Sequence, residues 1–167
     1  MAAKELEVIV GATDREIVLT RYFAAPRAMV WDAWTDPAQV AQWWGPNGFT
    51  LTTHEMNVRP GGVWRFIMHG PDGTDYPNEH RFTEVVPQER LAHQHGGHKE
   101  GAPEISFEAI VTFEDEGNGT RLTLRNIFPS MEARDQVIRE YGAVEGGKQH
   151  LQKLAEYLER VTKGVAI

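Results

Sequence analysis

Apolar residues that recur at every second position over much of the chain, followed by one long helical pattern, constrain the fold of this protein most strongly. Between residues 49 and 126, short segments alternate between apolar and polar side chains, as half-buried antiparallel strands do. The clearest alternation spans residues 105–113. The pattern predicts about six antiparallel strands, separated by turn signals at Arg59-Pro60-Gly61-Gly62, Pro71-Asp72-Gly73, Pro87-Gln88 and Gly117-Asn118-Gly119.

The last of these turns predicts a hairpin with a definite register. The expected pairs are Phe113 with Thr120, Val111 with Leu122, Ala109 with Leu124, and Phe107 with Asn126. In that register one face of the hairpin is apolar except for Asn126. A buried asparagine needs a hydrogen-bond partner, which a water or a polar group of a ligand can supply.

Two short helices are predicted between a first strand and the rest of the sheet. Residues 16–23 are rich in β-branched and aromatic residues and predict a strand that ends before Pro26. Apolar residues after Pro26 recur at helical spacing. Asp36-Pro37 then begins a second short helix, which Gly45-Pro46 ends.

A long helix is predicted near the C-terminal end. Ser130 is a suitable N-cap, and the helical pattern continues to about Thr162. Gly142, Gly146 and Gly147 fall inside it, and each costs about 1 kcal/mol relative to alanine, so we expect a bend near them. The predicted buried stripe consists of Val137, Tyr141, Val144, Leu151, Leu154, Leu158 and Val161.

These elements predict an α+β fold in which a curved antiparallel sheet of six to seven strands wraps around the long C-terminal helix. The length of 167 residues suits one domain, which we place at residues 16–163 after an N-terminal extension of residues 1–15. One helix cannot fill the concave face of so large a sheet. The sheet must either close over packed side chains or leave an internal cavity beneath the helix.

Composition excludes several classes of function. The chain carries 17 Lys and Arg against 24 Asp and Glu, a formal net charge of −7, so we expect no nucleic-acid partner. It has no cysteine, hence no disulfides and no thiolate chemistry. No stretch approaches the roughly 20 apolar residues of a membrane span, and the first residues lack the order of a signal peptide. We expect a cytoplasmic protein, monomeric or homodimeric, with no membrane partner and no cofactor.

Several motifs occur in an order that resembles one known superfamily. Residues 21–37, RYFAAPRAMVWDAWTDP, are similar to the entry signature of SRPBCC, or START-like, domains. The chain resembles the branch related to activators of the heat-shock protein 90 ATPase at Trp43-Trp44-Gly45-Pro46, Asn57-Val58-Arg59-Pro60-Gly61-Gly62 and Pro71-Asp72-Gly73. The resemblance runs from about Glu16 to Val161 and covers most of the chain.

The resemblance implies a helix-grip fold, with the sheet wrapped around the C-terminal helix and a ligand cavity between them. Members of the superfamily include lipid and polyketide binders, a few cyclases and hydrolases, and co-chaperone domains. We therefore rank binding of a small hydrophobic or amphipathic molecule first and an enzyme of the cyclase or hydrolase type second. Stimulation of a heat-shock ATPase ranks third, since the family name alone suggests it.

Inner-facing residues of the predicted strands indicate where a ligand binds. Polar atoms of the ligand are expected to meet Glu55, His80, His93, Asn126 and Tyr141. Binding then derives chiefly from apolar burial, at about 25 cal/mol per Å² before the costs of association are subtracted. The expected cavity walls are Phe66, Met68, Phe82, Phe107, Val111, Leu122 and Leu124.

Three histidines are the strongest candidates for chemistry. His93 and His95 share one strand face, and the register from the Pro87-Gln88 turn places His80 across from them, with Glu55 in the adjacent hairpin. These residue types ligate zinc or act as general acid and base. They can equally line a polar end of the cavity or lie at its solvent-facing rim. No metal is assigned, and a cyclase or hydrolase that uses these residues remains the alternative to binding.

Overall fold

A computed structural model describes residues 7–10, 15–97 and 105–162 of the chain. The first elements are β1 (Glu7–Val10), β2 (Glu16–Phe23), α1 (Arg27–Thr35) and α2 (Pro37–Val40). Six strands follow: β3 (Thr50–Met56), β4 (Val63–His69), β5 (Asp75–Val86), β6 (Arg90–Gly97), β7 (Ile105–Glu116) and β8 (Gly119–Ile127). The last two elements are α3 (Met131–Tyr141) and α4 (Ala143–Thr162).

All eight strands pair in one antiparallel sheet, in the order β1-β2-β8-β7-β6-β5-β4-β3. The predicted α+β architecture, with two short helices after the first long strand and a C-terminal helix against the concave face, is confirmed. Strands β2 to β8 are the predicted seven. The short strand β1 adds an eighth at the edge, within the segment predicted as an extension.

The β7–β8 hairpin differs from its predicted register by two residues. The strands continue to Glu116 and Gly119, which centres the turn between Gly117 and Asn118, one residue later than the predicted pairs require; Gly117 in that turn has a φ of 59°. Because two residues is the side-chain period of a strand, the inner face keeps the same residues although the predicted pairs are wrong. The observed pairs include Phe113 with Leu122, Val111 with Leu124, and Ala109 with Asn126.

The C-terminal helical region is interrupted at Gly142, within the predicted bend. Gly142 has φ 60° and ψ 41°, a left-handed conformation that glycine adopts without a steric penalty, and it ends α3. At the other end of α3, the Ser130 hydroxyl accepts a hydrogen bond from the Ala133 N–H at 3.0 Å, as expected of an N-cap. The prediction of a bend is confirmed, and it divides one predicted helix into two.

One hydrophobic core lies between the sheet and helices α1 and α4. Leu151, Leu154 and Leu158 of α4 are buried as predicted, and Tyr157 joins them. Among the described residues, none of the helices is long and apolar enough to cross a membrane. The α4 residues share their cluster with Leu19, Val30, Ala33, Val111, Phe113 and Leu122.

Candidate functional site

A cavity of about 250 Å³ lies between the concave face of the sheet and the first half of α4. Strands β4 to β8 form its floor, while α1, α4 and the loop after α2 form the opposite walls. The described residues that line it are Trp34, Trp44, Gly45, Pro46, Phe66, Met68, Asn78, His80, His93, His95, Phe107, Ala109, Leu124, Asn126, Ala143, Gly146, Gly147 and His150.

Cross-strand pairing brings the polar lining residues together. His80 lies opposite His95, in the predicted register of β5 and β6. His93 lies opposite Ala109, which in turn lies opposite Asn126. His93, Ala109 and Asn126 therefore form one row across three strands, and the small side chain of Ala109 leaves a gap in the middle of that row.

The histidine rings contact one another on the cavity floor. The His80 and His93 rings are stacked, with centroids 4.2 Å apart and planes inclined by 14°. The His95 ring stacks on Phe107 at 4.5 Å, and its Nε2 is 3.0 Å from Asn78 Oδ1, so Nε2 donates to that amide oxygen. This pairing assigns the Nε2-protonated form to His95.

Burial keeps the two innermost imidazoles uncharged. His80 is 2% exposed and His93 4% exposed. Burial, together with the neighbouring His95, lowers the pKa of His93 to about 3. Burial also lowers the pKa of His80 well below its usual value, and the nearby histidines act in the same direction. Both rings are therefore neutral at neutral pH.

Several buried polar atoms around the cavity have no hydrogen-bond partner within the part of the chain that the structure describes. They include Trp34 Nε1, which can only donate, both ring nitrogens of His80, and Nδ1 of His93. An unsatisfied buried polar group costs about 1–3 kcal/mol. Each of these atoms would therefore be stabilised by a hydrogen bond to a molecule that enters the cavity.

His150 on α4 was not predicted, yet it forms the wall opposite the sheet. Its Nδ1 accepts a hydrogen bond from the Gly45 N–H at 3.0 Å. Its ring meets Trp44 edge-on, with centroids 4.4 Å apart and planes at 89°. Burial, with a smaller contribution from Lys153, lowers the pKa of His150 to about 3. This third imidazole is therefore also neutral.

Side chains of three α4 residues, Gln149, His150 and Lys153, attach the loop of residues 44–49 to this helix. Gln149 Oε1 accepts from the Asn47 N–H at 3.1 Å, next to the bond between His150 and Gly45. Further along the helix, Lys153 Nζ lies 3.3–3.5 Å from the backbone carbonyls of Trp44, Pro46 and Phe49. The loop and the helix therefore form one wall of the cavity.

The predicted site residues divide into cavity lining and core. Among the predicted aromatic and aliphatic walls, Phe82, Val111 and Leu122 do not reach the cavity but lie in the packed core, 2%, 0% and 0% exposed. The side chain of Tyr141 lies outside the described residues. The predicted residues that do line the cavity are Phe66, Met68, His80, His93, His95, Phe107, Leu124 and Asn126.

The placement of Glu55 corrects the predicted acid–base pairing. A β-bulge between Thr53 and Glu55 reverses the alternation of β3, so Glu55 faces outward beside Arg65. Its carboxylate accepts from Arg65 Nη1 at 2.8 Å and from Asn57 Nδ2 at 3.0 Å. The expectation that Glu55 shares a space with the histidines is wrong.

The described residues contain no group of histidines and carboxylates arranged to hold a metal ion. Stacking explains why His80 and His93 do not converge, because the ring nitrogens of two parallel rings point along the planes and not toward a common centre. The arrangement suits hydrogen bonding to a guest better than metal ligation.

Four of the lining residues that sequence reasoning missed lie on α4. Ala143, Gly146, Gly147 and His150 recur at intervals of three and four residues, which places them on one helix face in line with Leu154. That spacing was a usable signal. Trp34, Trp44, Asn78 and Ala109 also line the cavity.

The chain is similar to proteins of one family. The model of the family described as Activator of Hsp90 ATPase homolog 1-like protein matches residues 24–159. No curated protein matches the chain at a significant level.

Solved structures of similar sequence share the fold. Protein Ms6760 from Mycobacterium smegmatis is 28% identical, with a TM-score of 0.83 over 93% of this chain and 98% of that one. A protein from Arthrobacter aurescens is 26% identical, with a TM-score of 0.85 over 92% of this chain and 91% of that one. The AHSA1 protein from Silicibacter pomeroyi, 23% identical, matches in fold with a TM-score of 0.72 over 86% and 97% of the two chains.

Proposed function

This chain belongs to the family of Activator of Hsp90 ATPase homolog 1-like proteins, and from that premise we propose that it binds a small, uncharged and mostly apolar molecule in the cavity beneath α4. The helix-grip fold of the family supports ligand binding in general. The residues that line this cavity support the narrower proposal that the ligand is uncharged and mostly apolar.

The chemistry of the cavity wall carries the proposal. The described lining residues include no Asp, Glu, Lys or Arg, and the three buried imidazoles are neutral because burial lowers their pKa. An ionised ligand would lose its hydration there without gaining a counter-ion, which is strongly unfavourable. A neutral ligand gains from apolar burial and can satisfy polar atoms that otherwise have no partner.

The volume of the cavity limits the size of the ligand. Pockets for drug-sized molecules occupy roughly 300–1,000 Å³, and this one holds about 250 Å³. A compound of one or two rings with a single hydroxyl, amide or carbonyl group matches both the volume and the few polar atoms on the wall.

Acid–base catalysis of the cyclase or hydrolase type is less well supported than binding. His80, His93 and His95 do line the cavity, as that alternative requires. However, Glu55 faces outward, and neither ring nitrogen of His80 has a partner that would fix its tautomer. A pKa of about 3 also makes His93 a poor base near neutral pH.

A co-chaperone role finds little support on the surface. Met131 is the exposed large hydrophobic residue among the described part of the chain, and one such residue does not make a docking patch. The family description refers to ATPase activation, but the cavity is the feature of this chain that points to a partner, and it fits a small molecule.

Three probes that share one ring body test the proposal by isothermal titration calorimetry. Naphthalene and 2-naphthol are neutral, whereas naphthalene-2-sulfonate carries a charge. We expect both neutral probes to bind, 2-naphthol more tightly, and the sulfonate to bind at least about tenfold more weakly than 2-naphthol. Failure of both neutral probes to bind, or equal binding of the sulfonate, would contradict the proposal.

A matched pair of variants locates the binding. Ala109→Leu adds a side chain inside the cavity, whereas Glu108→Leu adds the same side chain on the opposite face of β7. We expect only Ala109→Leu to abolish binding of 2-naphthol, with circular dichroism confirming that both variants fold. Native mass spectrometry of the protein purified gently from its own cells then identifies a co-purified molecule.

A further inference from the structure

Three glycines lie near the start of α4, and the fold requires a glycine at two of these positions but not at the third. Gly142 has a φ of 60°, which disfavours any other residue. A Cβ on Gly147 would lie 3.0 Å from Leu19 Cδ2, so close packing against β2 disfavours a side chain there. Gly146 has neither reason: its φ is not positive, and a Cβ built on it meets no atom within 4 Å.

Gly146 therefore destabilises the helix without a compensating need of the fold. It lies inside α4, where its N–H bonds to the carbonyl of Gly142 at 2.8 Å, and a glycine in a helix is less stable than an alanine. The open space beside it is the cavity, which Gly146 lines. A Cβ at this position would enter open space where the helix borders the cavity.

A second observation points to a ligand in the same space. His93 lines the cavity, is 4% exposed, and its Nδ1 has no hydrogen-bond partner. Trp34, which also lines the cavity and is 2% exposed, keeps an unpartnered N–H. The cavity is therefore lined by helix backbone without a side chain at Gly146 and by buried polar atoms to which a ligand can hydrogen-bond.

Building on the proposed function, we propose that Gly146 determines which ligands the cavity accepts: the ring body of a neutral ligand lies against the exposed backbone of α4 at this residue, and a hydroxyl or carbonyl group of the ligand reaches His93. The glycine is retained because a Cβ would occupy the place of the ring. Gly146 sets the size limit, and His93 sets the polar requirement.

Ligands of two sizes and substitutions of two sizes test the size limit. We expect Gly146→Val to weaken binding of 2-naphthol at least about tenfold and to leave binding of the smaller phenol within about threefold, with Gly146→Ala intermediate. Glu145→Val is the control, because it adds the same side chain one residue earlier, at an exposed position. Gly146→Ala is also expected to raise the midpoint of thermal unfolding, so lost binding cannot be attributed to misfolding.

The polar requirement has its own measurement. The wild-type protein is expected to prefer 2-naphthol over naphthalene, and His93→Leu to remove that preference while naphthalene still binds. Equal binding of 2-naphthol to wild type and Gly146→Val would overturn the assignment of Gly146 and leave the proposed function intact. Failure of the wild type to bind naphthalene, 2-naphthol or phenol would overturn both.

Discussion

The two halves of α4 face the same sheet but differ in how they pack against it. The first half, residues 143–150, presents Ala143, Gly146, Gly147 and His150 and leaves a cavity. The second half, residues 151–162, presents Leu151, Leu154, Tyr157 and Leu158, which are buried in solid packing. Side-chain size along a single helix face therefore decides where this fold is hollow. An amphipathic stripe shows that a helix packs, but not whether it fills the space beneath it.

The sheet repeats this division. The row of Leu91, Val111 and Leu124 belongs to the core, although Leu124 also reaches the cavity edge. The next inner-facing row, His93, Ala109 and Asn126, replaces large aliphatic side chains with two polar ones and a methyl group. Small and polar residues thus coincide on both walls of the hollow half, while large apolar residues coincide on both walls of the filled half.

The largest expected effect is a difference in unfolding free energy between leucine-to-alanine substitutions made in the filled half and in the hollow half. Leu154→Ala in the filled half removes a fully buried side chain and should cost about 3–5 kcal/mol of unfolding free energy. Leu124→Ala enlarges a cavity that already exists and should cost about 2 kcal/mol. Urea denaturation monitored by tryptophan fluorescence measures both values. Equal costs would mean that the hollow half is packed as tightly as the filled half.

Acid should destabilise the protein through the hollow half. His93 has a pKa of about 3 when folded and 6.5 as its ordinary value, so below pH 6.5 the unfolded chain takes up a proton that the folded chain does not. Stability attributable to His93 is therefore full above pH 6.5 and decreases toward pH 3, by about 2 kcal/mol at pH 5. His80 and His150 act in the same direction.

Denaturation midpoints measured from pH 7 to pH 5 test this expectation. Gln at position 93 cannot titrate, so His93→Gln should make the profile shallower over that range, while His80 and His150 keep part of the slope. A profile as steep in the variant as in the wild type would mean that the acid sensitivity arises from groups other than His93.

A substitution that removes unsatisfied polar atoms should stabilise the hollow half. His80→Leu replaces a ring whose two nitrogens lack partners by an apolar side chain of similar volume, and we expect a gain of roughly 1–2 kcal/mol. His150→Leu is the contrasting variant, since it leaves the Gly45 N–H without its acceptor and should destabilise. A loss of stability in His80→Leu would show that its nitrogens are satisfied by bound water.

The smallest expected effect concerns Gly146. Gly146→Ala should stabilise the protein by about 0.5–1 kcal/mol, because alanine is the better helix former and the added methyl group enters open space. Ser130→Ala, which removes the N-cap of α3, should lower stability by about 1 kcal/mol and calibrates the assay. A destabilised Gly146→Ala would mean that the position is crowded.

Much of the architecture was accessible from the sequence because it depends on local signals. Period-two alternation and turn residues predict the strands and their faces. The Pro87-Gln88 turn correctly predicts that His80 and Phe82 lie across from His95 and His93, although a bulge between Phe82 and Glu84 shifts the register by one residue nearer the turn. Turn width is a finer property. The two-residue error in the β7–β8 register arose because the alternation is unchanged when one strand slides by two residues relative to the other, so it does not fix the residue on which the turn is centred.

The candidate site was less predictable because it depends on where elements meet. A bulge at residue 54 sends Glu55 to the outer face, and alternation alone cannot reveal a bulge. Phe82, Val111 and Leu122 do face inward, but whether an inward residue meets the cavity or the core depends on which half of α4 lies over it. The position of the cavity beneath α4 depends on the helix break at Gly142 and on the small residues of α4, and a hydrophobicity pattern reveals neither.

The absence of charge among the described lining residues has a consequence for how a guest would be held. Dissolved ions screen the attraction between charges, and a neutral guest has no such attraction to these lining residues. Retention would follow from apolar burial and from hydrogen bonds to neutral groups, so concentrated sodium chloride should not weaken the binding of a guest.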